Sequence, residues 1–222
     1  KWQADPSNVS AGLAYANALE SGGQTGQQLA VYAKLSASNP GNAMLAGLYG
    51  KKLLMAGRTA EAVPQLEMAA RAPDADWRIH SALGTAYDQQ ALYPKARAEY
   101  QLVLDADPQN LTVLNNLGMS SALEGSLKQA EATLRRADSL LQSAREPRIR
   151  QNLALVVGLQ GRFDEASQIA SKDLPFLAEH LDRLFECAKA IAMDVGMSRA
   201  EIGAAVQATL AANGMTGDGV HV

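Results

Sequence analysis

Three histidines, one cysteine and a few lysines are the side chains that could carry metal, nucleophilic or phosphate chemistry in this chain. His80, His180 and His221 share no helical spacing, so they do not build a zinc site. His80 reads as a packed or half-buried histidine, His180 as a structural contact and His221 as part of a loose terminus. Cys187 has no histidine and acid placed to hold it as thiolate, and it reads as a small buried residue. As the single cysteine, it excludes an internal disulfide and a cysteine-built zinc centre. Gly50-Lys51 lacks the upstream glycine and the following Ser or Thr of a phosphate loop. No G-x-S-x-G elbow occurs. We therefore expect no catalysis, no cofactor and no metal. Asn8-Val9-Ser10 and Asn110-Leu111-Thr112 have the form of glycosylation sequons, but both asparagines read as helix caps, where a short polar side chain accepts orphan amides.

The elements that would position these residues are helical. The chain has 222 residues, enough for one or two domains of roughly 150. Apolar residues make up 47%, which suffices for a core, whereas aromatics are only 5%, so small aliphatics must do much of the packing. That balance argues against a β-sandwich, which draws on aromatic and β-branched strands, and for close-packed helices. A net charge of −3 gives no basic footprint for nucleic acid. No stretch reaches the ~20 apolar residues that span a bilayer, and no signal peptide is visible. The chain opens at Lys1 rather than methionine, so we expect a processed or trimmed product with room for an export signal or lipid anchor upstream.

An internal repeat organises the sequence. Gly50, Gly84 and Gly118 are spaced 34 apart, and so are Ala62, Ala96 and Ala130. Ala154 and Ala166 continue the two series after a step of 36, which a two-residue insertion near 143–146 explains. The period is that of the tetratricopeptide repeat, a helix–turn–helix unit. Residues 77–110 match it best, with Leu83-Gly84 and Tyr87 in the first helix, Tyr93, Ala96 and Tyr100 in the second, and Asp107-Pro108 at the end. Gly84 and Ala96 are small where two helices cross. Pro108 stops the second helix, since it lacks the amide donor. First helices are expected at 8–21, 43–56, 77–90, 111–124 and 147–160, and second helices at 25–37, 59–71, 93–106, 127–142 and 163–172. Gly57, Gly125 and Gly161 fall between them, where a left-handed turn suits glycine. The first repeat is degenerate, with Gln28 in place of a small residue.

One branch of that family is resembled more closely. Residues 150–166 (Arg150-Gln151-Asn152-Leu153-Ala154 through Asp164-Glu165-Ala166), followed by Asp173-Leu174-Pro175, resemble the last repeat of TadD-type proteins of Flp (tight-adherence) pilus assembly. Asp76-Trp77-Arg78 and Leu114-Asn115-Asn116-Leu117-Gly118 are similar to that family's middle repeats. The resemblance spans about 2–175. It implies an exported lipoprotein that helps assemble the outer-membrane secretin, hence a periplasmic or outer-membrane-associated location; the residues themselves leave a cytoplasmic one open. From Phe176 the chain departs from that pattern. His180-Leu181-Asp182-Arg183-Leu184-Phe185-Glu186-Cys187-Ala188-Lys189 and Ala211-Ala212-Asn213-Gly214-Met215 resemble a small-domain helix pair of fold-type IV pyridoxal-phosphate aminotransferases. That family's Schiff-base lysine lies later in its sequence, so Lys189 reads as a surface cation.

The expected fold class is thus all-α: a tetratricopeptide-repeat solenoid of five helix–turn–helix units followed by a C-terminal helical hairpin. Residues 1–175 form the array, with repeats at 9–42, 43–76, 77–110, 111–146 and 147–175. Residues 176–222 form a hairpin and loose terminus, a fusion or a cap on the last repeat. Its apolar stripe of Leu177, Leu181, Leu184 and Phe185 could also mediate homodimers. A stacked array offers a concave face. In this family that face recurs at the second, fifth, ninth and twelfth residues of each repeat. The candidate groove residues are Asn17, Met44, Lys51, Arg78, Ser81, Thr85, Asp88, Thr112, Asn115, Met119, Arg148 and Gln151. Lys51, Arg78 and Arg148 are its positive points, and Met44 and Met119 its adaptable apolar ones. The expected ligand is a protein or peptide segment, with a pilus secretin or another pilus-assembly component as partner. A chaperone-tail carboxylate clamp is not expected, since the fifth positions Leu13, Gly47, Ser81, Asn115 and Gln151 lack its lysine and asparagine pattern. The rival readings are a scaffold in another secretion or export system and an aminotransferase-associated protein that acts through the tail.

Overall fold

The computed structural model describes residues 7–140 and 146–171. Among them are ten helices and no strand. In chain order they are α1 (Val9–Ser21), α2 (Thr25–Ser38), α3 (Ala43–Met55), α4 (Thr59–Ala70), α5 (Trp77–Gln89), α6 (Tyr93–Ala106), α7 (Leu111–Leu123), α8 (Leu127–Asp138), α9 (Pro147–Leu159) and α10 (Phe163–Ser171). Two compact units divide between Glu124 and Gly125. The first holds the hairpins α1/α2, α3/α4 and α5/α6, and ends with α7. The second begins with α8, which packs on α9, and α9 pairs with α10. The tail read from sequence as a hairpin at 176–222 lies outside the described residues.

Local chemistry explains where the helices begin and end. Four first helices start on a short polar cap, spaced as the repeat is. Asn8 Oδ1 accepts the amide of Ala11 at 2.9 Å, Asn42 that of Leu45 at 3.0 Å, Asp76 that of Arg78 at 2.7 Å and Asn110 that of Val113 at 3.2 Å. Each such cap stabilises by ~1 kcal/mol. α9 starts instead with Pro147 at its first position, where the missing N–H has no helical partner to lose. Leaving the first helices, the amides of Gln24, Arg58, Leu92 and Arg162 reach back to the carbonyls of Leu19, Leu53, Tyr87 and Val157. That closure requires a left-handed residue just before it. Gly23, Gly57 and Gly161 supply it with φ of 67°, 72° and 79°, and Gly125 has φ 91°. In the third repeat the same place is held by Ala91 at φ 57°. α8 is shorter than the 127–142 read from sequence. The Ser139 hydroxyl donates to the carbonyl of Arg136 at 2.8 Å, a local bond that competes with helix continuation.

The core is built of leucine, alanine and a few tyrosines. Ala62, Ala96, Ala130 and Ala166, the small residues of the second helices, are fully buried. A Cβ on Gly84 would lie 2.5 Å from Tyr100 Cε1, and one on Gly50 would lie 2.7 Å from Leu66 Cγ. The second unit adds an ion-pair lattice. Glu131 meets Arg135 at 2.8 Å and Arg162 at 2.7 Å, and it accepts the Gln160 amide at 2.7 Å. Burial pushes the Glu131 carboxyl up, but these three donors together hold it below its ordinary value.

Two substitutions test this account by urea unfolding. Gly84→Ala should destabilise by about 1–3 kcal/mol, because Tyr100 must leave its site to admit the methyl. Ala91→Gly should stabilise by roughly 0.5–1 kcal/mol, because relief of the left-handed strain exceeds the entropy glycine adds to the unfolded chain. Midpoints equal to the parent's would contradict both.

Candidate partner-binding face

At about 100° per residue, the second, fifth, ninth and twelfth positions of a helix share one face, and the thirteenth lies beside the second. In the first unit this face is presented by α1, α3, α5 and α7. Asn17, Arg78 and Thr112 are exposed on it, while Lys51, Thr85, Asp88, Asn115 and Met119 are half-buried. Met44 is 58% exposed. Ser81 is only 7% exposed. In the second unit Arg148 is exposed and Gln151 half-buried on α9.

The candidate residues divide by what their polar atoms do. Three serve the stack itself. Asn116 of α7 donates to the Ser81 hydroxyl at 3.2 Å. Thr85 donates to the Ser81 carbonyl at 3.0 Å and lies 3.3 Å from the Tyr100 hydroxyl. Asp88 accepts from Tyr100 of α6 at 2.8 Å and from Ser120 of α7 at 2.6 Å. Ser81 and Asp88 thus fix the register of α5 against its neighbours, and they offer a partner little.

Of the three positive points, Arg78 is paired within the chain. Arg78 pairs with Asp76 at 3.0 Å, and its guanidinium lies 4.8 Å over the ring of Trp77. The Asp76 carboxyl is held low, first by the Arg78 amide and then, against burial, by the charges of Arg78 and Lys51. Lys52 bonds Glu20, which also accepts the Gln28 amide at 3.0 Å; this is where the degenerate first repeat uses its buried glutamine.

The face also offers apolar side chains. Met55 on α3 is 78% exposed and Leu123 on α7 is 51% exposed. Both stand at the thirteenth position, on the edge of the face that carries Met44. Sequence reading passed over them because it considered only four positions per repeat. The signal was there: α1 and α5 carry Ser21 and Gln89 at that position, where a large apolar residue has no packing duty.

No family profile matches the chain, and no curated relative matches its sequence. Solved structures do match. YrrB, a TPR protein with an unusual peptide-binding site, aligns with a TM-score of 0.63 at 19% identity, over 82% of this chain and 95% of its own. MamA from Desulfovibrio magneticus RS-1, from its residue 41 onward, aligns at 0.65 and 14% identity, over 81% and 96%. PilW, a widely conserved type IV pilus biogenesis factor, aligns at 0.63 and 18% identity, over 89% and 82%. At such identities the likeness shows the fold, which is the all-α tetratricopeptide-repeat solenoid class.

Asp88 gives the face a pH signature. Burial raises its carboxyl above the ordinary range, and the Ser120 and Tyr100 hydroxyls and the Arg97 charge offset this only in part. The folded chain therefore keeps this proton to higher pH than the unfolded chain does. Its stabilising contribution is complete below the unfolded value and falls as pH rises through the folded one. Relative to Asp88→Asn, the parent should lose stability as pH rises above the ordinary aspartate value of about 4, read as diverging urea midpoints. Parallel midpoints would place the carboxylate in water.

Proposed function

We propose that this chain is a non-enzymatic adaptor that recognises a segment of a partner protein on the first-helix face of its repeats. The observation that carries the reading is the exposure of Met44, Met55 and Leu123 along that face, beside an Arg78 already paired with Asp76. Exposed apolar side chains that recur on one helix face are better candidates for cover by a partner than apolar residues scattered singly over a surface. Methionine adapts its shape to different partners, which suits a recognition surface. The Asp76 pair leaves Arg78 contributing less than its formal charge suggests, which favours a segment that enters by apolar anchors.

The partner we favour belongs to pilus assembly at the bacterial envelope, with the chain at the periplasmic side or on the outer membrane. Two things support this. One is the likeness of residues 150–166 to TadD-type proteins. The other is the fold shared with PilW, itself a pilus biogenesis factor. Among the described residues no helix is long and apolar enough to cross a membrane.

A pull-down from an envelope extract of a pilus-forming bacterium separates these claims. The full chain is compared with a Met44→Ser/Met55→Ser/Leu123→Ser variant and with Arg78→Gln. The triple variant should lose its partner at least tenfold with an unchanged melt, and Arg78→Gln should retain most of it. Equal capture by the parent and the triple variant would overturn the binding face. Capture of a secretin or a pilus-assembly protein supports the envelope role. Capture of an unrelated export component by the parent alone keeps the adaptor and rejects the pilus.

A further inference from the structure

A second surface lies on the other side of α5. His80, Leu83 and Tyr87 stand at the fourth, seventh and eleventh positions of the helix, roughly 140° around from the groove positions. They floor a cleft of about 320 Å³ between α4 and α6. Its walls carry Glu67 from α4 and Glu99 and Leu102 from α6.

The other repeats of the same unit show that the fold does not need this chemistry. At the place of His80 they carry Gly12, Ala46 and Leu114, all buried. At the place of Tyr87 they carry Leu19, Leu53 and Ser121, also buried. At the place of Glu99, the repeats at 9–42 and 43–76 carry Val31 and Gln65. Tyr87 is the residue the repeat pattern itself expects, but the third repeat of this unit alone sets His80 and Glu99 in their places, and both meet the Tyr87 ring in one cleft. A polar pair that the packing pattern does not call for is the kind of local departure expected at a functional site.

The polar atoms converge. The Tyr87 hydroxyl donates to Glu67 at 2.7 Å, and His80 Nδ1 lies 2.8 Å from Glu99 Oε2. Burial first, then the Glu67 bond and the fields of both Glu67 and Glu99, hold the Tyr87 phenol protonated, so both carboxylates bear on one spot. Cations of the chain already gather at the rim. Lys95 Nζ is 5.3 Å from the Tyr87 ring centroid, and the exposed Arg71 reaches Glu67 at only 3.6 Å, a weak and displaceable contact. Leu102 at the lip is 56% exposed, where the equivalent positions carry Lys34, Met68 and Arg136.

We propose that this cleft is a second docking site that takes one arginine or lysine side chain of a protein partner, its head between Glu67 and Glu99 and its methylenes along Leu83, Leu102 and the Tyr87 ring. Arg71 also lines the cleft, and the guest's head replaces it at Glu67, one cation exchanged for another. The described residues contain no group of three metal-ligating side chains, so a metal ion is a poor occupant. The aromatic face and apolar lip suit a long cationic side chain, whose stem is apolar and whose head stacks on an aromatic ring. The site is independent of the first-helix face, and its test reads different residues.

The probe is the capped peptide acetyl-Leu-Arg-Leu-amide, with citrulline in place of arginine as the neutral control, titrated against the full chain by NMR. Saturable shifts of the His80 imidazole and the Tyr87 ring are expected with the arginine peptide, with affinity at least tenfold lower for the citrulline peptide. Glu67→Gln and Glu99→Gln should each weaken binding severalfold, and raised salt should do the same. Leu102→Lys, an exposed change to the residue type the first repeat carries there, should fill the cleft and abolish the shifts with an unchanged melt. Equal affinity for the two peptides, shifts that survive Leu102→Lys, or no shift at His80 and Tyr87 would each overturn the proposal.

Discussion

Two helices lie as close as α5 and α6 do only where one of them gives up its side chain. Gly84 makes room for the Tyr100 ring, and Gly50 makes room for Leu66 in the hairpin before it. Buried Ala62, Ala96, Ala130 and Ala166 do the same from the second helices. Much else follows from this close approach. It buries enough surface for a chain with few aromatics to fold. It also brings the Tyr100 hydroxyl within reach of Thr85 and Asp88, so the ring that fills the gap anchors a polar network as well.

That network shows how one helix face serves two purposes. Polar residues at groove positions can point along the stack or away from it. Ser81 and Asp88 point along it and set which turn of α5 meets which turn of α7, because a buried carboxylate and hydroxyl must find partners. Met44, Met55 and Leu123 point away and have no such constraint. Register is thus held by hydrogen bonds, while the exposed apolar side chains of the same face can be exchanged without harm to the fold. In the cleft between α4 and α6 the Tyr87 hydroxyl and His80 hold the carboxylates of Glu67 and Glu99 in place.

The sequence by itself determined the class and most boundaries. A period of 34 in glycine and alanine follows from the steric rule at the helix crossings, and a steric rule is legible without coordinates. The caps Asn8 and Asn110 and the turn glycines Gly57, Gly125 and Gly161 are local chemistry, set by a few neighbouring residues, and the structure places them as read. Ala91 escaped notice because its left-handed conformation is imposed by the hairpin and not by its own side chain.

Only the tertiary structure decided which residues have polar atoms to spare. Lys52 of α3 looks like a free cation in the sequence and is held by Glu20 of α1 in the fold. Asp88 looks like a groove carboxylate and is shared between α6 and α7. His80 and Glu99 stand nineteen residues apart and meet across a hairpin. Burial and pairing depend on what comes near from elsewhere in the chain. A repeat period predicts that a neighbour will be there, but not which atom it presents.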